Sequence, residues 1–230
     1  GNIPLFFDPA PEQEISEREA IILITHGHPE HYQGAVQHIR RSNRKHVNVV
    51  GSKSVCAYLK RFSKCAEDIF FPISEPMVGQ ADHRCIEIGS WRIAFFEWEH
   101  MPLLPAGLKN KLNYLRKFGP HLGELSRIAR TSILGPRHGP MLGYRIESKH
   151  ENTASFVYLG EGLHRKTRTE TLVRALGKSP AVTLIAGVEP EDVSVISMLL
   201  QGKPIKSVLL FEPHRIWREQ YGLPLADLAD

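Results

Sequence analysis

Ala20-Ile21-Ile22-Leu23-Ile24 is an unbroken aliphatic run with no polar position in it. A strand of this kind has to be covered on both faces, which confines the chain to folds that bury a sheet between other layers. The run stops at Thr25, and His26-Gly27-His28-Pro29-Glu30-His31 follows at once. The end of a buried strand is where sheet scaffolds present reactive groups. Three imidazoles and a carboxylate in so short a segment are ligands suited to zinc, iron or manganese. The segment therefore reads as a metal-binding cluster rather than a solvated polar loop. Gly27 and Pro29 argue for a tight loop there and against regular helix.

The rest of the chain alternates between strand and helix patterns. Pro4-Leu5-Phe6-Phe7 reads as a strand entering a turn at Asp8-Pro9, and a helical pattern runs from His31 to about Ser42. Val47 to Gly51 is a second buried-strand candidate, followed by a helix from Ser52 to Phe62 with Ser52 as N-cap. Arg84 to Ile88 and Trp91 to Trp98, joined by Gly89-Ser90, form a hairpin pattern. Strands are expected again at Met141 to Glu147 and Ala154 to Leu159. Helix and strand then alternate through Thr167–Leu176, Val182–Ala186, Glu191–Leu200 and Ile205–Phe211. The stretch from about 101 to 140, rich in Pro, Gly, Lys and Arg, breaks the rhythm and reads as an insertion. One domain over residues 1–230 is expected, with layered sheets covered by helices.

Composition narrows the class further. With 42% hydrophobic and 23% charged residues the chain is an ordinary globular one. A net charge of +4 suits an anionic small-molecule substrate. The two basic clusters, Arg40 to His46 and His164 to Arg168, lack interleaved aromatics, so nucleic acid is not the expected partner. Cys56, Cys65 and Cys85 show no metal or disulfide spacing, and Cys56 and Cys85 read as buried free thiols. With no leader and no membrane-length apolar run, a soluble, cytoplasmic protein is the expectation, with oligomeric state left open.

The motif Thr-His-x-His-x-acid-His after a hydrophobic strand resembles the signature of the metallo-β-lactamase superfamily of αββα metallohydrolases. Further landmarks follow in family order. Leu5-Phe6-Phe7-Asp8-Pro9 resembles the strand and aspartate ahead of the signature. Phe95-Phe96-Glu97-Trp98-Glu99-His100 resembles the strand ending in the third histidine. Phe156-Val157-Tyr158-Leu159-Gly160-Glu161-Gly162 resembles the approach to the bridging acid. Ser207-Val208-Leu209-Leu210-Phe211-Glu212-Pro213-His214 resembles the last strand and its histidine. The layout is similar to the branch that includes L-ascorbate-6-phosphate lactonase.

The resemblance implies a four-layer αββα sandwich and two divalent metal ions, zinc first, with manganese or iron as alternatives. His26, His28 and His100 would hold one ion, Glu30, His31 and His214 the other, and Glu161 would bridge them. It implies a hydrolase that uses a hydroxide held between the ions on a small anionic ester, lactone or phosphoester. Glu30 would be the catalytic residue, passing a proton to the leaving group, and the insertion would cover part of the mouth. The chain departs from the family in having Glu30 and Glu161 where aspartate is usual, and Gly162 where a hydroxyl residue is common. Two alternatives stand beside this reading: a non-catalytic relative with a decayed site, and a phosphodiesterase or nuclease of the same fold.

Overall fold

The aliphatic run forms β2 (Glu19–Leu23), and its two faces explain the missing alternation. Ala20 and Ile22, with Ile24 just beyond, pack toward helices, whereas Ile21 and Leu23 pack toward a second sheet. The computed structural model describes residues 3–10, 13, 18–41, 46–74, 85–99, 135–136, 140–150, 155–177, 182–213, 215–220, 225–226 and 228.

β2 lies in a four-stranded sheet with β1 (Leu5–Phe7), β3 (His46–Ser52) and β4 (Ile69–Ile73), in the order β1-β2-β3-β4, and every pairing is parallel. Parallel neighbours need a crossover, and α1 (Pro29–Arg41) and α2 (Lys53–Lys60) supply those between β2 and β3 and between β3 and β4. Ser52 caps α2 as expected, accepting from the Val55 amide at 3.4 Å. β4, Ile69-Phe70-Phe71-Pro72-Ile73, was not anticipated. Pro72 is accommodated because β4 is an edge strand.

The second sheet has six strands: β5 (Cys85–Ile88), β6 (Trp91–Trp98), β7 (Met141–Ser148), β8 (Ser155–Tyr158), β9 (Val182–Gly187) and β10 (Ile205–Phe211), in the order β10-β9-β8-β7-β6-β5. β5 to β8 are antiparallel neighbours, and β8, β9 and β10 run parallel. α3 (Thr169–Leu176) and α4 (Val193–Leu200) cover its outer face, packing on Phe96, Trp98, Leu159 and Leu184. Between the sheets lie Ile21, Leu23, Val50, Ile93, Leu142, Tyr144 and Ile146. Each such side chain contributes about 1.5–3 kcal/mol by leaving water. Helix, sheet, sheet, helix is thus the order of layers, as expected for an αββα sandwich. Among the described residues no helix is long and apolar enough to cross a membrane.

A short final helix, α5 (Arg215–Gln220), escaped the sequence reading. Its Arg218 is largely buried and pairs with Glu189 and Glu212, which follow β9 and β10. Cys56 is buried as expected, and burial pushes its thiol up to about 12. Cys85 is only partly buried, because β5 is an edge strand, and its sulfur accepts from Arg92 Nε at 3.1 Å. Residues 101–134 and 137–139 of the expected insertion lie outside the described residues, and so do His100 and His214.

Candidate metal centre

The carboxyl ends of β2 and β8 meet at one edge of the sandwich. β6 runs parallel to β8, since each is antiparallel to β7, and β9 and β10 are parallel to β8 as well. The carboxyl ends of β6, β8, β9 and β10 therefore share that edge. The Leu142 amide donates to the Thr25 carbonyl at 2.8 Å and joins the two sheets there. Tyr144 reinforces the join, its hydroxyl donating to the Ile24 carbonyl at 2.6 Å.

Pro29 does not exclude helix, contrary to the sequence reading: it is the first residue of α1. At that position the missing N–H would have had no helical partner, and the fixed φ favours entry into the helix. Glu30 and His31 therefore stand on the first turn of a helix and His26 and His28 in the loop before it. Helical spacing then sorts them. His31 falls on the buried face with Ala35, His38 and Ile39, and Glu30 points outward at 37% exposure.

Asp8, which in the sequence marks a turn and resembles the aspartate ahead of the signature, organises this segment. Its backbone takes a positive φ of 41°, which aspartate tolerates better than most residues. One carboxylate oxygen accepts from the Thr25 amide and the other from the Thr25 hydroxyl, both at 2.8 Å. The second oxygen also lies 3.0 Å from His31 Nδ1 and accepts from the Tyr158 hydroxyl at 3.4 Å. The Thr25 hydroxyl has a single proton. By donating it to Asp8 it becomes an acceptor for His26 Nδ1, 3.0 Å away. That arrangement leaves the lone pair on His26 Nε2, which faces His28 Nδ1 at 2.9 Å and Glu161 Oε1 at 4.0 Å.

Glu161 comes from the second sheet, on the turn after β8, and is 1% exposed. Its Oε1 lies 2.8 Å from His31 Nε2. His31 is thereby held between two carboxylates. Burial disfavours its charged form, but Asp8 first and Glu161 second more than offset this, and its pKa stands well above 6.5. Gly160, with φ of 55°, makes the turn, and a Cβ there would sit 3.1 Å from Thr25 Cγ2.

Among the described residues, two groups of side chains present ligand atoms within 4.8 Å of one another: His26, His31 and Glu161, and His28, Glu30 and Glu161. Glu161 belongs to both. The donor set is imidazole and carboxylate throughout, which fits a divalent ion. His31 also has the carboxylate partner on its far nitrogen that metal-bound histidines usually have. The resemblance pairs His26 with His28 and Glu30 with His31. His26 adjoins both His28 and His31, so proximity alone does not sort the ligands between two ions.

Of the seven anticipated ligands, five are described and lie together: His26, His28, Glu30, His31 and Glu161. β6 ends two residues before His100 and β10 three before His214, both at the edge that carries the centre. The orienting roles of Thr25 and Tyr158 were missed. A hydroxyl residue directly before the first histidine was the available signal. The basic cluster after Glu161 is partly neutralised: Arg165 meets Asp192 at 2.7 Å and Arg168 meets Glu99 at 3.1 Å.

No protein-family model and no curated protein matches the sequence. Among solved structures, the chain is similar to the metallo-beta-lactamase fold protein YhfI from Bacillus subtilis, at 9% identity and a TM-score of 0.46, over 87% of this chain and 69% of that one. That likeness is too distant to bear on sites or chemistry.

Proposed function

We propose that the protein is a metal-dependent hydrolase of the metallo-β-lactamase superfamily, acting on a small anionic ester, lactone or phosphoester. The observation that carries this reading is Glu161. It is a buried carboxylate from the second sheet, delivered to the imidazoles of the His26–His31 segment and shared by both groups of candidate ligands. A buried carboxylate is costly unless paired or bound to a metal, and the imidazoles that pair with Glu161 here are donors a divalent ion accepts as well.

In this reading His26, His28, Glu30, His31, His100 and His214 hold two divalent ions with Glu161 common to both, zinc being the first candidate. Ions bound there would supply Lewis acidity toward a carbonyl or phosphoryl oxygen and activate water. Asp8 keeps the proton on His31 Nδ1, so that Nε2 faces the centre. Thr25 does the same for His26, fixing its ring through Nδ1. Glu30, the exposed acid, would pass a proton to the leaving group. The net charge of +4 favours an anionic substrate.

Elemental analysis of the purified protein, followed by a screen of phosphodiester, lactone and thioester substrates, tests the proposal. Zinc, manganese or iron near two equivalents, with turnover abolished by chelation and restored by metal, is the expected result. A chain that holds no such metal and takes up none is a decayed relative instead.

A further inference from the structure

Trp98 is none of the anticipated ligands, yet it touches the centre's remote half. It ends β6, is 2% exposed, and packs in the core under α3. A buried indole N–H needs an acceptor. This one donates, at 2.8 Å, to the carbonyl of Gly162, the residue after Glu161. The Thr167 hydroxyl donates to the same carbonyl at 3.3 Å.

Gly162 is one of three positions where the chain departs from the resemblance, and here the structure supplies a reason. A Cβ at 162 would fall inside contact distance of Trp98 Nε1 and of the Leu159 carbonyl oxygen. The indole occupies the space that a hydroxyl side chain would need. Gly187 holds the backbone on both sides of Glu161: its amide donates to the Gly160 carbonyl, and its carbonyl accepts from the Leu163 amide at 3.2 Å. Between those two anchors, the Gly162 carbonyl is held by Trp98 and Thr167. Trp98 also pairs with Met141 on β7, next to Leu142, whose amide holds the Thr25 carbonyl. The β6–β7 pair therefore touches both the turn that carries Glu161 and the strand end that carries His26.

Resting on the metal-centre reading above, we propose that Trp98 is a positioning residue: its indole N–H sets the direction in which the backbone presents the Glu161 carboxylate to His26 and His31, and so sets affinity for a divalent ion. Glu161 is buried, so its carboxylate cannot be reoriented through solvent. A change at the Gly162 carbonyl passes to its neighbour.

Trp98→Phe removes the N–H and keeps most of the ring. Zinc affinity measured by competition with a chromophoric chelator should weaken by about 10–100-fold, the range for partners that orient ligands. The cobalt(II) absorption bands should shift, and the far-ultraviolet dichroism of the metal-free protein should stay as in wild type. A variant that loses thermal stability but keeps wild-type zinc affinity and cobalt bands would show Trp98 to be packing alone, and overturn the inference. If Trp98→Phe does not fold, benzothienylalanine incorporated at position 98 replaces the N–H by sulfur in a ring of the same shape, and unchanged affinity there overturns it equally. Wild-type protein that binds neither metal sinks the function proposed above, which is a different outcome from a variant that binds as wild type does.

Discussion

The four-stranded sheet places His26, His28, Glu30 and His31 at the centre from one strand exit and one helix start. From the six-stranded sheet the described residues add Glu161 alone, 130 positions beyond His31. The first contribution is local: the chain leaves a buried strand, turns, and enters α1 at Pro29. The second needs a turn at Gly160, a close approach at Gly162, and an indole from another strand. Between them stand Asp8 and Thr25, which fix the rings of the local half. A local cluster can be assembled by a few covalently adjacent residues, whereas its remote partner must be aimed by packing.

Breaking either half should have the largest effect. Glu161→Ala and His31→Ala are both expected to abolish metal-dependent turnover while circular dichroism stays native. Retained activity in Glu161→Ala alone would mean that the local half suffices and that the two sheets do not share a site.

Asp8→Asn sharpens the comparison by loosening the local half without removing a ligand. Zinc affinity at high pH should fall by about 10–100-fold, as the orienting charge on His31 is lost. The pH dependence should move as well. In wild type the raised His31 pKa keeps a proton on the ring that an incoming ion must displace, so uptake strengthens as pH rises toward that value. In the variant this dependence should shift to lower pH. The metal-free proteins offer a second reading. A raised folded-state pKa gives stability that is full below the ordinary 6.5 and fades as pH climbs through the raised value. Asp8→Asn should flatten that slope in denaturant titrations across the range. An unaltered slope would remove Asp8 from its place beside His31.

Tyr144→Phe should have the smallest effect on the centre. It deletes the hydroxyl that crosses from the second sheet to the Ile24 carbonyl, leaving that buried acceptor with one partner fewer. A loss of about 1–3 kcal/mol in unfolding free energy is expected, with zinc affinity unchanged. A large loss of affinity would mean that the junction of the sheets, rather than the turn around Glu161, sets the spacing of the two halves.

Much of this protein was legible because burial leaves marks on sequence. Ile21 to Ile24 announced a strand covered on both sides, and the histidines at its end announced the local half of the centre. Ser52 signalled its helix. The readings that failed turned on context. Pro29 looked like a breaker and serves as a helix start. β4 went unread, and its Pro72 is tolerated at the edge of the first sheet. Cys85 looked buried but sits on an edge strand of the second sheet. Arg218, nearly buried on a short final helix, could not be told from a surface arginine until Glu189 and Glu212 came beside it.

By itself the sequence determined most of the strands and helices, β4 and α5 apart, together with the layered class and the chemistry of the donors, because these follow from residue type and short-range periodicity. Only the tertiary structure decided that Glu161 reaches His31, that Asp8 holds Thr25 and the His31 ring, and that Trp98 occupies the space beside Gly162. Those contacts join segments far apart in the chain. Their geometry is set by how two sheets pack against each other, and no local pattern encodes it.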